Sequence, residues 1–156
     1  MVYQAIVRNQ RESGGLGVEF IDISPQDWER LTDFLENPPA VVAFSNYMWN
    51  LDLSYSISTE IKSAFPETFI VFGGPNYPLE DHMREKWLKA HPAVDVYMIG
   101  EGEEPFTGLM DAWYETGSLE EARRSGIDGC HTLVEGRLFK SSDVSPRITD
   151  LNLIPS

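Results

Sequence analysis

Cysteine is almost absent. The 156 residues contain one, Cys130, which excludes an internal disulfide and any zinc or iron–sulfur site that needs several thiolates from this chain. Its expected place is that of a small, half-buried strand residue. Basic residues are scarce: 12 Lys and Arg stand against 25 Asp and Glu, a formal net charge of -13. A phosphate-binding surface needs clustered cations, so a nucleic-acid partner is excluded and the acidic excess reads as solubility. Long apolar runs are missing too. None approaches the roughly 20 residues of a membrane span, and the N-terminus lacks the basic-then-apolar order of a signal peptide. The expectation is a soluble, cytoplasmic protein. Neither GxGxxG nor GxxxxGKS occurs, so no nucleotide fingerprint is present. His82, His91 and His131 fall on different elements without metal-like spacing and read as surface residues, and no metal site is expected.

The most organised stretch is Phe69 to Pro78, FIVFGGPNYP. Phe69, Ile70, Val71 and Phe72 run without alternation into Gly73-Gly74-Pro75, the pattern of a parallel strand buried on both faces that ends in a loop. Paired glycines at such a carboxyl end leave room for a ligand to approach the backbone.

The rest of the chain repeats strand and helix. Residues 1–17 allow two readings. Tyr3, Ile6 and Val7 at i, i+3, i+4, with Arg8, Arg11 and Gly14-Gly15 as a stop, suggest a short helix; a strand at Val2–Val7 is the alternative. Val18–Ile23 alternates apolar and acidic residues, as a strand near a sheet edge does. Ser24 as N-cap, Pro25 and Asp27 start a helix whose Trp28, Leu31, Phe34 and Leu35 share one face before Asn37-Pro38-Pro39. Ala40–Phe44 is another buried strand, opening into Ser45-Asn46-Tyr47-Met48-Trp49-Asn50. A helix from Asp52 to Phe65 carries Leu53, Ile57, Ile61, Ala64 and Phe65. After Thr68–Phe72 comes a helix Glu80–Ala90 with Met83, Trp87 and Leu88 inward. A strand Val94–Ile99 enters Gly100-Glu101-Gly102-Glu103-Glu104, and a helix Glu104–Thr116 turns Phe106, Leu109, Met110 and Trp113 inward. Asp52 and Asp81 read as helix caps without catalytic roles.

Helix-sized spacers between strands imply parallel strands joined by right-handed crossovers, and so a doubly wound α/β sheet, mainly parallel, of the Rossmann or flavodoxin-like class. The alternation ends at Thr116. A short acidic helix at Gly117–Arg124 precedes Gly129–Val134 and Arg137–Lys140, which flank the two-residue turn Glu135-Gly136 of a small hairpin. We expect one domain over 1–140 and an extended linker over 141–156, which holds Pro146 and Pro155 and no periodicity.

The loops Ser45–Asn50, Gly73–Pro78 and Gly100–Glu103 leave one edge of such a sheet and together form a crevice. Tyr47, Met48 and Trp49 there serve either packing or a stacking platform for a flat ligand.

FSNYMWN after an apolar strand, then IVFGGPNYP, then VDVYMIGEGEEPF, then a late hairpin, in this order and spacing, resemble the N-terminal cobalamin-binding-type domain of radical SAM proteins over residues 18–156. The resemblance implies a cofactor-binding accessory domain that holds cobalamin at the carboxyl edge of the sheet, with no catalytic residue of its own. It places Ser45 and Gly73-Gly74 beside the nucleotide tail and Ser45, Asn46, Tyr47, Met48 and Trp49 on the corrin side. Pro75 and Asn76 continue the glycine wall, and Gly100-Glu101-Gly102-Glu103 matches the family's GEGE turn facing a partner domain. ITDLNLIPS, Ile148–Ser156, resembles the linker into the radical SAM barrel. The DxHxxG loop that supplies a lower axial histidine is missing, so no histidine from it coordinates cobalt. The CxxxCxxC triad is missing as well, so the 4Fe-4S cluster and S-adenosylmethionine belong to a barrel that these residues do not contain, the partner expected in cis. The family also places a strand ahead of Val18–Ile23, for which only Val2–Val7 with an abbreviated crossover offers room. A ligand-free docking or substrate-recognition module of the same fold is the alternative. A receiver domain fits less well, because its acidic cluster and late lysine are not visible.

Overall fold

Phe69, Ile70, Val71 and Phe72 are all buried, and they alternate between two cores. Successive side chains of a strand point to opposite faces, so Phe69 and Val71 join one cluster while Ile70 and Phe72 join the other. Both faces must therefore be covered, which is why this stretch carries no polar alternation.

The structure is a computed structural model, and it describes residues 3–9, 16–22 and 38–142. In chain order the elements are strands β1 (Tyr3–Asn9), β2 (Leu16–Asp22) and β3 (Val41–Ser45), helix α1 (Leu51–Ala64), β4 (Phe69–Gly73), α2 (Asp81–Ala90), β5 (Val96–Met98), α3 (Glu103–Thr116), α4 (Leu119–Ala122), β6 (Cys130–Val134) and β7 (Arg137–Lys140). They form one sheet in the order β2-β1-β3-β4-β5-β6-β7. β3, β4 and β5 are parallel neighbours, with Ser45 level with Gly73 and Gly73 level with Met98. Helices α1 and α2 cover one face through Ile57, Ile61 and Leu88, against Val42, Phe44, Ile70, Phe72 and Tyr97. The other face is covered by α3 and α4, through Leu109, Met110 and Ala122 against Val41, Phe69, Val71, Val96 and Met98. The molecule is the expected α/β fold with helices on both faces.

The flanks depart from four parallel strands in succession. β1 pairs antiparallel with both β2 and β3. Of the two readings of residues 1–17, the strand is the one observed, and Arg8 belongs to it rather than to a helix end. Strand β2 stands at the sheet edge, as its alternation suggests, and points the same way as β3 across the intervening β1. On the other flank β6 and β7 form the expected hairpin: Glu135 and Gly136 have φ of 52° and 74°, the two positive values of a type I′ turn. The expected helix over 24–35 and the linker beyond residue 142 lie outside the described residues.

Several side chains sit elsewhere than the pattern suggested. Met83 is exposed rather than inward, because α2 packs through Arg84, Trp87 and Leu88. His131 is fully buried in β6 and not on the surface, level with Tyr97 and near the Tyr77 ring. Asp52 and Asp81 lie inside the first turns, after the cap positions Asn50 and Glu80, and neither helix has a side-chain cap. Asp81 instead ties α2 to the hairpin through Lys140 at 2.8 Å and contacts Arg84 at 3.2 Å. Cys130 is buried more deeply than half; burial pushes its thiol up to about 12.

Candidate functional site

Three loops leave the edge where the parallel strands end. They are L1 (residues 45–50) after β3, L2 (residues 73–80) after β4 and L3 (residues 99–102) after β5. The spatial order β2-β1-β3-β4-β5 matches the numbering of flavodoxin-like sheets but not their strand directions, since β1 is antiparallel here. The neighbouring parallel strands β3, β4 and β5 bring their carboxyl ends to one edge, and ligands of open α/β sheets lie outside such ends. Because β1 runs antiparallel, its amino end lies at this edge, Gln4 level with Phe44, while Asn9 and Leu16 meet at the far edge. The carboxyl end of β1 is therefore at the edge opposite L1, L2 and L3.

L1 is set by two asparagines. The Asn50 Nδ2 donates to the Ser45 carbonyl at 2.7 Å, and its Oδ1 accepts from the Tyr47 backbone N–H at 2.7 Å. This folds the loop back on itself so that residues 47–49 bulge outward. Tyr47 and Trp49 stack with ring centroids 4.8 Å apart and planes 11° apart. Trp49 is 73% exposed and Met48 83%. Tyr47 itself is half-buried, so the Trp49 ring and Met48 are the parts of this loop that core packing leaves uncovered.

Asn46 does the opposite and points into the protein, where it is fully buried. Its backbone N–H donates to the Gly73 carbonyl at 2.5 Å, and its carbonyl accepts from the Asn76 N–H at 3.3 Å. Its side-chain amide donates to the Asn76 carbonyl at 2.7 Å and to the Tyr97 hydroxyl at 3.1 Å, while its Oδ1 accepts from the Asn76 Nδ2 at 3.2 Å. The Tyr97 hydroxyl in turn donates to the Gly74 carbonyl at 2.8 Å. Burial raises the Tyr97 hydroxyl above its ordinary value, so it stays a neutral donor.

The two glycines of L2 have different tasks. Gly74 has φ of +111°, and a Cβ there would stand 2.7 Å from the Asn46 carbonyl oxygen and 3.2 Å from its nitrogen. The space its missing side chain leaves is thus taken by L1 itself, not held open for a ligand. Gly73 is looser, since a Cβ would meet only Met98 atoms at 3.6 and 3.8 Å. Beyond them Pro75 is exposed, and Tyr77 turns inward to stack on Tyr97 at 3.7 Å and 8°. The Tyr77 hydroxyl is buried without a hydrogen-bond partner among the described residues.

L3 turns the other way. The Ile99 N–H donates to the Gly129 carbonyl, toward the hairpin. Gly100 has φ of 73°, and Gly102 occupies the N-cap of α3 with no atom within 4 Å of a would-be Cβ. Glu101 is half-buried, and Glu103 and Glu104 lie in the first turn of α3, on its positive end.

The structure thus joins Ser45, Asn46, Gly73, Gly74 and Asn76 in one hydrogen-bonded junction. It sets Tyr47, Met48 and Trp49 outside that junction and holds Gly100, Glu101 and Gly102 on a separate turn of the same edge. Sequence reasoning missed Tyr97 and Arg84. Tyr97 read as one more apolar strand residue, although a hydroxyl in a buried run signals a bonded partner. Arg84, 8% exposed, was hidden in an otherwise polar helix. Its Nε donates to the Pro78 carbonyl at 2.8 Å, and its guanidinium lies 5.8 Å from the Tyr77 ring centroid. Among the described residues no three His, Cys, Asp or Glu side chains gather as metal ligands, and no helix is long and apolar enough to cross a membrane.

The exposed face of Trp49 in the Tyr47–Trp49 stack, with Met48 beside it in sequence, suits contact with a large planar macrocycle, and neither L1, L2 nor L3 contains a histidine to reach a metal at its centre. Comparison with known proteins points the same way. Two relatives are a cobalamin-dependent radical SAM methyltransferase, TokK, of Streptomyces tokunonensis, 35% identical over 72 residues, and a 2-(S-pantetheinyl)-carbapenam-3-carboxylate methyltransferase of Streptantibioticus cattleyicolor, 36% identical over 72 residues. Each match covers 46% of this chain and 10% of the relative, so the chain spans about a tenth of the length of these curated proteins. The family model of the B12 binding domain matches residues 5–110, more than half of the chain, and the chain belongs to that family.

Proposed function

We propose that this domain holds cobalamin over the carboxyl edge of its sheet, as the accessory domain of a radical SAM methyltransferase. The observation that carries the reading is the Tyr47–Trp49 stack, with Trp49 and the neighbouring Met48 exposed and Tyr47 half-buried, at the strand ends of a B12-binding fold. In this reading Tyr47, Met48 and Trp49 meet the corrin face, and Ser45, Gly73, Pro75 and the turn 100–102 border it. Bound cobalamin would supply a cobalt centre able to carry a methyl group. The chain's own residues supply position and an apolar surface that excludes water, and none acts as a catalytic acid, base or nucleophile. The unit would span 1–140, and 141–156 would lead into a barrel in cis that holds the 4Fe-4S cluster and S-adenosylmethionine. The similarity to two proteins with methyltransferase names supports this partner. The cytoplasm is the compartment we assign, since a free buried thiol and a reduced cluster both suit a reducing environment.

One observation favours a second reading, a ligand-free docking module. Asn46 fills the gap between L1 and L2, so a nucleotide tail cannot thread between Asn46 and Gly74 without breaking their hydrogen bonds. Mixing the chain with hydroxocobalamin, desalting and recording the visible spectrum separates the two. A retained corrin band supports the cofactor reading; its absence, with the exposed Met48 and Trp49 still needed for association with the barrel, supports docking.

A further inference from the structure

L2 is held from inside at four of its carbonyls, each by a different group. Gly73 O accepts from the Asn46 N–H, Gly74 O from the Tyr97 hydroxyl, Asn76 O from the Asn46 Nδ2 and Pro78 O from the Arg84 Nε. Three of the donors come from two buried side chains and a third that is 8% exposed, on three elements: the β3 end, β5 and α2. None of the bonds needs a ligand. A loop with two glycines and two prolines would otherwise sample many conformations, and ordering it on binding would cost affinity.

We propose that Asn46, Tyr97 and Arg84 form an internal lock that presets the glycine loop before any cofactor arrives, making them positioning residues for the cobalamin edge. The lock rests on the cofactor reading only for its purpose; its existence is a property of the ligand-free chain. Geometry decides why the lock needs these residues. Asn46 offers both an amide donor and a carbonyl acceptor, so it satisfies Asn76 from both sides while bonding Tyr97. Tyr97 is long enough to bring a hydroxyl from the middle of β5 up to Gly74, and Tyr77 stacked on its ring fixes that reach. Arg84 closes the far end, and its Nη1 contact to Asp81 continues through Lys140 to β7. The loop is therefore braced against both the neighbouring L1 and the hairpin.

With four carbonyls turned inward, L2 exposes Pro75, Leu79 and, where it enters α2, the Glu80 carboxylate.

The test uses the full chain and the variants Tyr97→Phe, Arg84→Lys and, as a control for general destabilisation, Ile61→Val in the α1 core. Hydrogen–deuterium exchange of the ligand-free chain is read over residues 73–79, and hydroxocobalamin association and dissociation are followed by stopped flow. The lock predicts about tenfold faster loop exchange in Tyr97→Phe and Arg84→Lys, with about tenfold weaker binding. It predicts neither change in Ile61→Val. Unchanged loop exchange in both lock variants overturns the proposal, and so does faster exchange with unaltered affinity. If the wild-type chain retains no cobalamin, the proposed function fails, while the exchange data still decide whether the lock exists.

Discussion

At the scale of single residues, two adjacent glycines that look alike in sequence carry different constraints. Gly74→Ala would force a positive φ on a residue with a side chain and drive its Cβ against the Asn46 backbone, a combination that costs about 2–4 kcal/mol. Gly73→Ala meets only ordinary contacts at a strand end and should change stability by less than about 1 kcal/mol. Urea denaturation of the two variants checks this, and equal losses would contradict the assignment. Tyr77 offers a case of the opposite sign. Its buried hydroxyl lacks a hydrogen bond among the described residues while its ring stacks well, so Tyr77→Phe should be neutral or stabilising by about 1 kcal/mol. A clear loss in the same denaturation measurement would show that the hydroxyl is bonded.

Asp95 gives a pH dependence. Its Oδ2 accepts from the Ile70 N–H at 2.7 Å and pairs with Lys62 at 2.7 Å, completing the ladder of β4 just where β5 has not yet begun. Burial nevertheless outweighs both partners and raises its carboxyl above the ordinary range. The folded state then binds the proton more tightly than the unfolded chain. Its stabilising contribution is complete below the ordinary aspartate value of about 3.9 and is lost as pH rises through the higher folded value. The stability difference between wild type and Asp95→Asn should therefore shift in favour of the variant from about pH 4 upward and then level off. Denaturation midpoints across that range measure it, and a shift in the other direction would refute the sign.

At the scale of elements, the hairpin and the first strand show what sequence can and cannot disclose. Glu135-Gly136 was legible because a two-residue connection between short apolar strands demands two positive φ values, and glycine announces one of them. Glutamate is not suited to the other. Glu135→Asn should raise stability by about 0.5 kcal/mol, read as a higher melting temperature, because asparagine accepts that conformation more readily. No rise would mean that the turn is set by contacts of the Glu135 side chain. Residues 3–9 were ambiguous for a physical reason: Tyr3, Ile6 and Val7 satisfy a helical spacing, and only pairing with β2 and β3, nonlocal in sequence, selects the strand. The buried strands at Ala40–Phe44 and Phe69–Phe72 gave no such difficulty, because an unbroken apolar run of four or five residues between turn signals has few other uses.

At the scale of the whole molecule, the edge that collects L1, L2 and L3 followed from alternation alone, since parallel strands deliver all their carboxyl ends to one side. What alternation could not show is the division of labour along that edge. Ser45–Asn50 is one continuous polar and aromatic string in sequence, yet Asn46 and Asn50 turn inward while Met48 and Trp49 turn out. Arg84, the one arginine of α2, is nearly buried and braces the loop from behind. Such orientations depend on distant partners, such as Asn76 and Tyr97, 30 and 51 positions from Asn46, which no local pattern encodes.

In the proposed function this edge holds cobalamin against the Tyr47–Trp49 stack, whose Trp49 ring is exposed. Equilibrium dialysis of the chain against hydroxocobalamin, beside the double variant Tyr47→Ser and Trp49→Ser with its far-UV circular dichroism checked, tests it most directly. About one corrin should be retained per wild-type chain, with at least a tenfold loss of affinity in the folded double variant, the order expected for removing two stacking rings. Equal retention by both proteins, or none by the wild type, would contradict it.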